Sequence, residues 1–365
     1  MKVTRKYILI LRPDNIGDCV LFSGTLKYYR ELYPNFEITL ALKKHIIPLF
    51  ENCPYIDYLV DFKKYSYVKT NNNFIEKINK RIRKLILPIF NKFKRKWDII
   101  ICPVRSITPE MLWIVKNHKA NKKIGIVGCP SNFPKDKQYL KKKVFTEFYT
   151  LTVDKLWQHE LKTNMEFLNY LGANIKNEEE ILPEFWTDDN NYIDKFANLS
   201  IPPSYCLLFP FASNKIRELS INNFIQIVKK ISTDDNILIL GTLIDYEKAE
   251  ILKTKLNSIY KNVVNLCGYT AINDIFPLIK NADKIISIES GPLHIAIALN
   301  KPTYAIVGGG HWGRFLPWGD SGNVHWLNKR MSCFQCNWEC QYGDFRCVKN
   351  IDYNTISNLT KEDIR

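Results

Sequence analysis

Long apolar runs are missing from this 365-residue chain. Nothing approaches the ~18 uninterrupted apolar residues that a membrane-spanning helix needs. A secretion signal is not expected either. The opening apolar run, Tyr7 to Leu11, is too short for one, is closed by Arg12-Pro13-Asp14, and has no small-residue cleavage site. It reads as a first buried strand in a protein that stays in the cytoplasm. Low-complexity tracts and short internal repeats are absent. So is any zinc-finger, RNP or helix-turn-helix signature, and nucleic acid is therefore not expected as a partner. Acidic residues are the minority: 37 Asp and Glu stand against 52 Lys and Arg, for a net charge of +15.

What is present is globular. Apolar residues make up 46% and charged residues 24%, and the length suits two cores better than one. The basic surplus calls for an anionic partner, either a phosphorylated small molecule or an anionic membrane surface. Part of it is concentrated between Lys77 and Lys96, where Lys80, Arg81, Arg83, Lys84, Lys92, Lys94 and Arg95 interleave with Ile82, Leu85, Ile89 and Phe93. Such a stretch suits an anionic leaflet at about 1 kcal/mol per cation; a solvated helix face explains it equally well.

The first half alternates strand candidates (Tyr7–Leu11, Phe36–Leu42, Tyr58–Asp61, Asp98–Cys102, Lys123–Val127) with longer patterns, among them a helix over Cys19–Tyr33. The second half repeats the rhythm. Its strands fall at Tyr205–Phe209, Asn236–Leu240, Val263–Leu266, Lys284–Ile288 and Thr303–Val307. Helices are expected at Ile221–Ile231, Asp245–Ile259, Ala271–Asn281 and Leu293–Leu299. Strand–helix alternation builds parallel sheets from right-handed βαβ units. The polar stretch Lys176–Pro203 separates two such series. The expectation is an α/β protein of two Rossmann-like lobes, residues 1–190 and 191–365, with a ligand at the strands' carboxyl ends in the cleft between lobes.

Three segments carry chemistry. Arg12-Pro13-Asp14-Asn15-Ile16-Gly17-Asp18 leaves the first strand and enters a helix. Gly17 permits a tight turn or the close approach of a ligand. Asp14 or Asp18 suits a general base toward a hydroxyl; either would equally serve as a helix cap. Glu289-Ser290-Gly291-Pro292-Leu293-His294 turns from a strand into a helix. Pro292 suits the first helical turn, whose free N–H groups fit a pyrophosphate. Ser290 and His294 add donors there, Glu289 suits a sugar hydroxyl, and an ordinary capped turn is the plainer alternative. In the third segment, Lys215 and Arg217 follow Phe209-Pro210-Phe211-Ala212-Ser213-Asn214 and lie where they could neutralise a departing diphosphate.

Taken in order, these segments resemble glycosyltransferase family 9, the heptosyltransferases. Arg12 to Asp18 matches the opening Arg-x-Asp-x-Ile-Gly-Asp, and Lys215 with Arg217 matches the basic loop of the second lobe. Ser290, Gly291 and His294 match Asp-(Ser/Thr)-Gly-x-x-His, with Ala296, Ala298, Leu299, Lys301 and Pro302 following as in the family. Trp157 through Gly172 is similar to the family's lobe-closing helix. Two departures stand out: Glu289 replaces an Asp, and Gly308-Gly309-Gly310-His311 replaces the commoner Gly-Pro-Thr. Gly309 suits backbone approach to a phosphate, with His311 and Arg314 as extra ligands and a tight turn as the alternative.

The resemblance implies a GT-B fold and an inverting transfer of a heptose or related sugar from an ADP-sugar to a saccharide acceptor, without a catalytic metal. Asp18 would be the base and Lys215 would stabilise the leaving diphosphate. Arg217, Glu289, Ser290, Gly291, Pro292 and His294 would hold the donor, and Asp14, Asn15 and Gly17 would shape the acceptor-side loop. A lipid-linked acceptor would place the enzyme on the inner face of the membrane as a peripheral protein. A protein heptosyltransferase, a sugar-nucleotide epimerase of the same architecture and a non-catalytic nucleotide-sugar-binding protein are the competing readings.

Ten cysteines remain to be placed. Six are isolated, several in or beside apolar runs, as small buried hydrophobes are. Cys333, Cys336, Cys340 and Cys347 instead form C-x2-C-x3-C-x6-C near the C-terminus. In a cytoplasmic protein this favours a structural zinc or iron over reduced thiols, with disulfides third.

Overall fold

The computed structural model describes residues 5–65, 96–133, 139–186, 201–232, 236–319 and 322–351. The basic segment at 77–95 and residues 187–200 of the expected linker lie outside the described residues. The chain forms two compact units. The first gathers residues up to Asn15, Thr25–Leu156 and Lys162–Ile181; the second takes Ile16–Gly24, Trp157–Leu161 and everything from Leu182 onward.

Each unit is built on a six-stranded, fully parallel sheet. The first contains β1 (Lys6–Leu11), β2 (Phe36–Leu42), β3 (Tyr58–Asp61), β4 (Trp97–Cys102), β5 (Ala120–Val127) and β6 (Glu147–Thr150). The second contains β7 (Cys206–Phe209), β8 (Asn236–Ile239), β9 (Asn262–Asn265), β10 (Lys284–Ile288), β11 (Thr303–Ile306) and β12 (Val324–Leu327). Their orders are β3-β2-β1-β4-β5-β6 and β12-β11-β10-β7-β8-β9. Counted within each unit, these are one and the same doubly wound topology.

The central strands are the continuous apolar runs, as strands covered on both faces must be. Leu9, Leu11 and Ile100 sit at no exposure in the first core, and Leu208, Ile237, Ile286 and Ile288 in the second. The two strands that the pattern missed, β6 and β12, are edge strands, and several of their residues are only half-buried. With one flank open they carry no apolar run. The single helix expected over Cys19–Tyr33 is two, Ile16–Ser23 and Leu26–Leu32, broken at Gly24, a residue that costs about 1 kcal/mol in a helix. All six isolated cysteines are buried, and none of them is in a disulfide. Among the described residues, no helix is long and apolar enough to cross a membrane.

Candidate active site

Both sheets reverse their strand order once, between β1 and β4 in the first and between β7 and β10 in the second. Ligands of doubly wound sheets gather at the carboxyl ends of such strands. The segments singled out in the sequence leave β1, β7 and β10. In the first unit the Arg12 side chain is buried. It donates to the Pro103 carbonyl beyond β4 and pairs with Asp14 at 2.9 Å, while Lys43 Nζ donates to Asn15 Oδ1 at 2.7 Å. Asp14 and Asn15 are thus held by cations at the carboxyl edge of the first sheet.

Asp18 lies in the second unit, half-buried in the first turn of the Ile16–Ser23 helix. That helix meets the Gly291–Ala298 helix at two glycines. A methyl on Gly17 would stand 2.8 Å from His294 Cδ2, and one on Gly291 would stand 2.6 Å from Ile16 Cβ. Both distances are shorter than any tolerated carbon contact, so glycine is what lets the two helix starts touch. Ser290 occupies the cap position of the second helix but makes no side-chain cap bond. The ordinary capped turn is therefore not formed, and Pro292 sits within the first turn as expected.

His294 is almost fully buried. Trp318 Nε1 donates to its Nδ1 at 3.0 Å, with the two rings stacked at 6.0 Å. An acceptor at Nδ1 leaves the proton of the neutral ring on Nε2. Burial, and then the charges of His159 and Arg217, push its pKa down to about 3. The imidazole is a neutral N–H donor.

Glu289 follows β10 with only 5% exposure. Its Oε1 lies 3.7 Å from Arg217 Nη1, too far for a hydrogen bond, and neither Glu289 Oε2 nor Arg217 Nε has a hydrogen-bond partner. Burial lifts the carboxyl to about 7, with Arg217 pulling the other way. A buried pair that faces without bonding leaves an acceptor and a donor open to a ligand.

Lys215 opens the short 3-10 turn Lys215–Arg217. Its Nζ donates to Glu218 Oε1 at 2.8 Å and to Asp245 Oδ1 at 3.2 Å, yet 52% of the side chain stays exposed. Burial lowers its pKa, but the two carboxylates outweigh this and raise it. Asp245 is itself held by the amide and hydroxyl of Thr242. The ammonium is fixed, charged and still open to an anion.

The sequence model of glycosyltransferase family 9 (heptosyltransferase) matches residues 113–342, well over half of the chain. The chain belongs to glycosyltransferase family 9. It is 23% identical over 322 residues to the lipopolysaccharide core heptosyltransferase OpsX of Haemophilus influenzae, spanning 87% of this chain and 84% of that protein. Its fold is shared by the family 9 glycosyl transferase of Veillonella parvula, at TM-score 0.72 and 15% identity over 100% and 98% of the two chains. The ADP-heptose lipopolysaccharide heptosyltransferase II of E. coli gives 0.64 and 15% over 89% and 91%. The two parallel α/β units are those of a GT-B glycosyltransferase.

One departure from the family pattern has a structural cause. The space beside the glycine run is filled by rings from the cysteine-rich segment. Phe334 abuts Gly309, Trp338 abuts Gly310, and Trp338 with Val348 abuts Gly308. Backbone bonds Gln335 N to Gly309 O (2.7 Å) and Asn337 N to Gly310 O (2.9 Å) fasten the segment there. These contacts account for the glycines without a phosphate. Arg314 lies over Phe315, and its carbonyl accepts from Glu160 N at 2.8 Å. His311 accepts from Trp338 Nε1 at Nδ1 (3.3 Å) and faces Asn337 Oδ1 with Nε2 (3.1 Å); burial first, then Arg314, lowers its pKa to about 4.

The four clustered thiols are free. Cys340 Sγ accepts from the amides of Phe345, Tyr342 and Gly343, which outweigh burial and lower its pKa. Cys347 is raised by burial and by the charges of the other three, against a bond from the Gly309 amide. Among the described residues, no group of three or more His, Cys, Asp or Glu is arranged to hold a metal ion. The zinc or iron expected from the spacing does not fit the thiols as they stand. Trp318 bonds His294, Trp338 faces Arg217, and Glu218 and Asp245 bond Lys215; only the fold reveals these contacts with the candidate residues.

Proposed function

We propose that the chain transfers a heptose or related sugar from an ADP-sugar to a saccharide acceptor, with inversion at the anomeric carbon. The observation that carries this reading is the contact of Gly17 with His294. It sets the carboxylate-bearing first turn of one helix against the open, uncapped first turn of another. Asp18 takes the proton of the acceptor hydroxyl as that oxygen bonds to the anomeric carbon. The bond from that carbon to the diphosphate oxygen breaks, and ADP departs. Lys215, Arg217 and the free helix-start amides of Gly291 and Leu293 stabilise the charge it gains. Glu289 Oε2 takes a sugar hydroxyl, and the first sheet, with Asp14 and Asn15 at its carboxyl edge, serves the acceptor. The resemblance to the heptosyltransferases of Haemophilus influenzae and E. coli supports the sugar and the adenine nucleotide.

Calorimetric titration with ADP, GDP, UDP and ADP-heptose, alongside Asp18→Ala, tests the assignment. Micromolar binding of the ADP species by both proteins, with transfer lost only in the variant, is the expected result. Preference for UDP or GDP would overturn the donor, and binding lost in the variant would overturn Asp18 as base.

A further inference from the structure

The cysteine-rich segment does more than close the end of the chain. It brings an indole to the edge of the donor site. The Arg217 guanidinium carbon lies 5.4 Å from the centre of the Trp338 ring, within cation–π range. The ring is fixed on its other sides. Its N–H bonds His311 Nδ1, His311 in turn faces Asn337, and the ring lies on the backbone of Gly308 and Gly310. Arg217 is held less firmly. Its Nε has no hydrogen-bond partner, and Glu289 is 3.7 Å away, so no hydrogen bond sets the guanidinium's angle toward the carboxyl.

We propose that Trp338 is a positioning residue for the transfer reaction: its ring face holds the Arg217 guanidinium beside Glu289, open to the diphosphate of the donor. The inference rests on the ADP-sugar reading given above. It makes Trp338 part of the donor site, acting through Arg217 and touching no reacting atom.

The chemistry of the contact sets what should follow. A cation over an indole face is held in direction as well as distance. A leucine keeps the bulk but removes the quadrupole, and Arg217 then samples positions away from Glu289. A phenylalanine keeps an aromatic face while giving up the bond to His311 and the outer ring that lies against Gly308. Arg217 is also the charge that opposes burial at Glu289, so its drift lets that carboxyl climb above about 7.

The test compares Trp338→Leu and Trp338→Phe with the parent chain in steady-state transfer from ADP-heptose, in calorimetric binding of ADP, and in thermal unfolding. Trp338→Leu should raise the donor KM about tenfold, weaken ADP equally, and move the Glu289 limb of the pH–rate profile to higher pH. Trp338→Phe should stay within about threefold of the parent and keep the limb in place. An unchanged donor KM and limb in Trp338→Leu overturns the proposal while the transfer reading stands. So does equal damage in both variants with a matching loss of melting temperature, which marks a purely structural role. Failure of the parent chain itself to bind ADP or ADP-heptose overturns the transfer reading, and Trp338's role falls with it.

Discussion

His294 occupies the space that a side chain on Gly17 would need: a methyl there would stand 2.8 Å from Cδ2 of the imidazole. Neither partner can yield. The Gly17 backbone is part of a helix, and the ring is buried and held by Trp318.

Gly17→Ala should therefore destabilise the chain by about 1–3 kcal/mol, as overpacking of a tight contact does. Chemical denaturation would show it as a lower midpoint at unchanged slope. An alanine variant as stable as the parent would mean that the two helix starts separate freely.

His294 should not titrate between pH 5 and 8. Its folded pKa of about 3 lies below the unfolded value of about 6.5. Between those values the unfolded chain binds a proton that the folded chain refuses, so stability falls as the pH drops through that window. The slope is at most about 1.4 kcal/mol per pH unit. Proton NMR of the His294 ring would show a flat shift above pH 5, and His294→Gln would flatten the acid side of the stability curve.

Glu289 works in the opposite direction. Its carboxyl titrates at about 7 when folded, well above an exposed glutamate. That neutral form favours the folded state below about pH 4, and the contribution is lost as the pH rises through 7. Glu289→Gln should thus gain stability at pH 8 relative to the parent. It should also lose about tenfold in kcat/KM for the donor, as the open carboxylate oxygen becomes an amide. Unfolding curves at pH 5 and pH 8 separate the two effects.

Lys215→Ala should lower kcat about 10²–10³-fold, as removal of a preorganised charge does. Lys215→Arg should rescue it poorly, because Glu218 and Asp245 hold a compact ammonium between them and a planar fork does not fit that geometry. Steady-state kinetics at saturating donor checks both. A fully active arginine variant would show that only net charge matters there.

The parts of this architecture that could be read from the sequence are those written locally. Continuous apolar runs betray central strands, and Gly-Pro after β10 marks a helix start at the right place. The edge strands β6 and β12 lacked such runs, because their exposed flank tolerates polar residues. The site divides the same way. Asp18, Lys215, Glu289 and His294 sit next to turn signals that any reading meets. Trp318 and Trp338 act on residues far away in the chain, and an isolated tryptophan carries no mark of the ring or guanidinium it will meet. Gly309 is a converse case: a glycine invites the thought of a ligand, and the structure sets the Phe334 ring where its side chain would stand.

The glycine run and the aromatic pair fill one another's space, so they should change together. A bulkier residue at 308–310 evicts Phe334 or Trp338, and loss of those rings leaves three glycines flanking a void. Family members with Gly-Gly-Gly at this point should carry two aromatic residues at matching positions downstream. Those with Gly-Pro-Thr should lack them. A survey of related sequences could count that co-occurrence, and grafting the downstream segment alone into a Gly-Pro-Thr relative should fail until the glycines go with it.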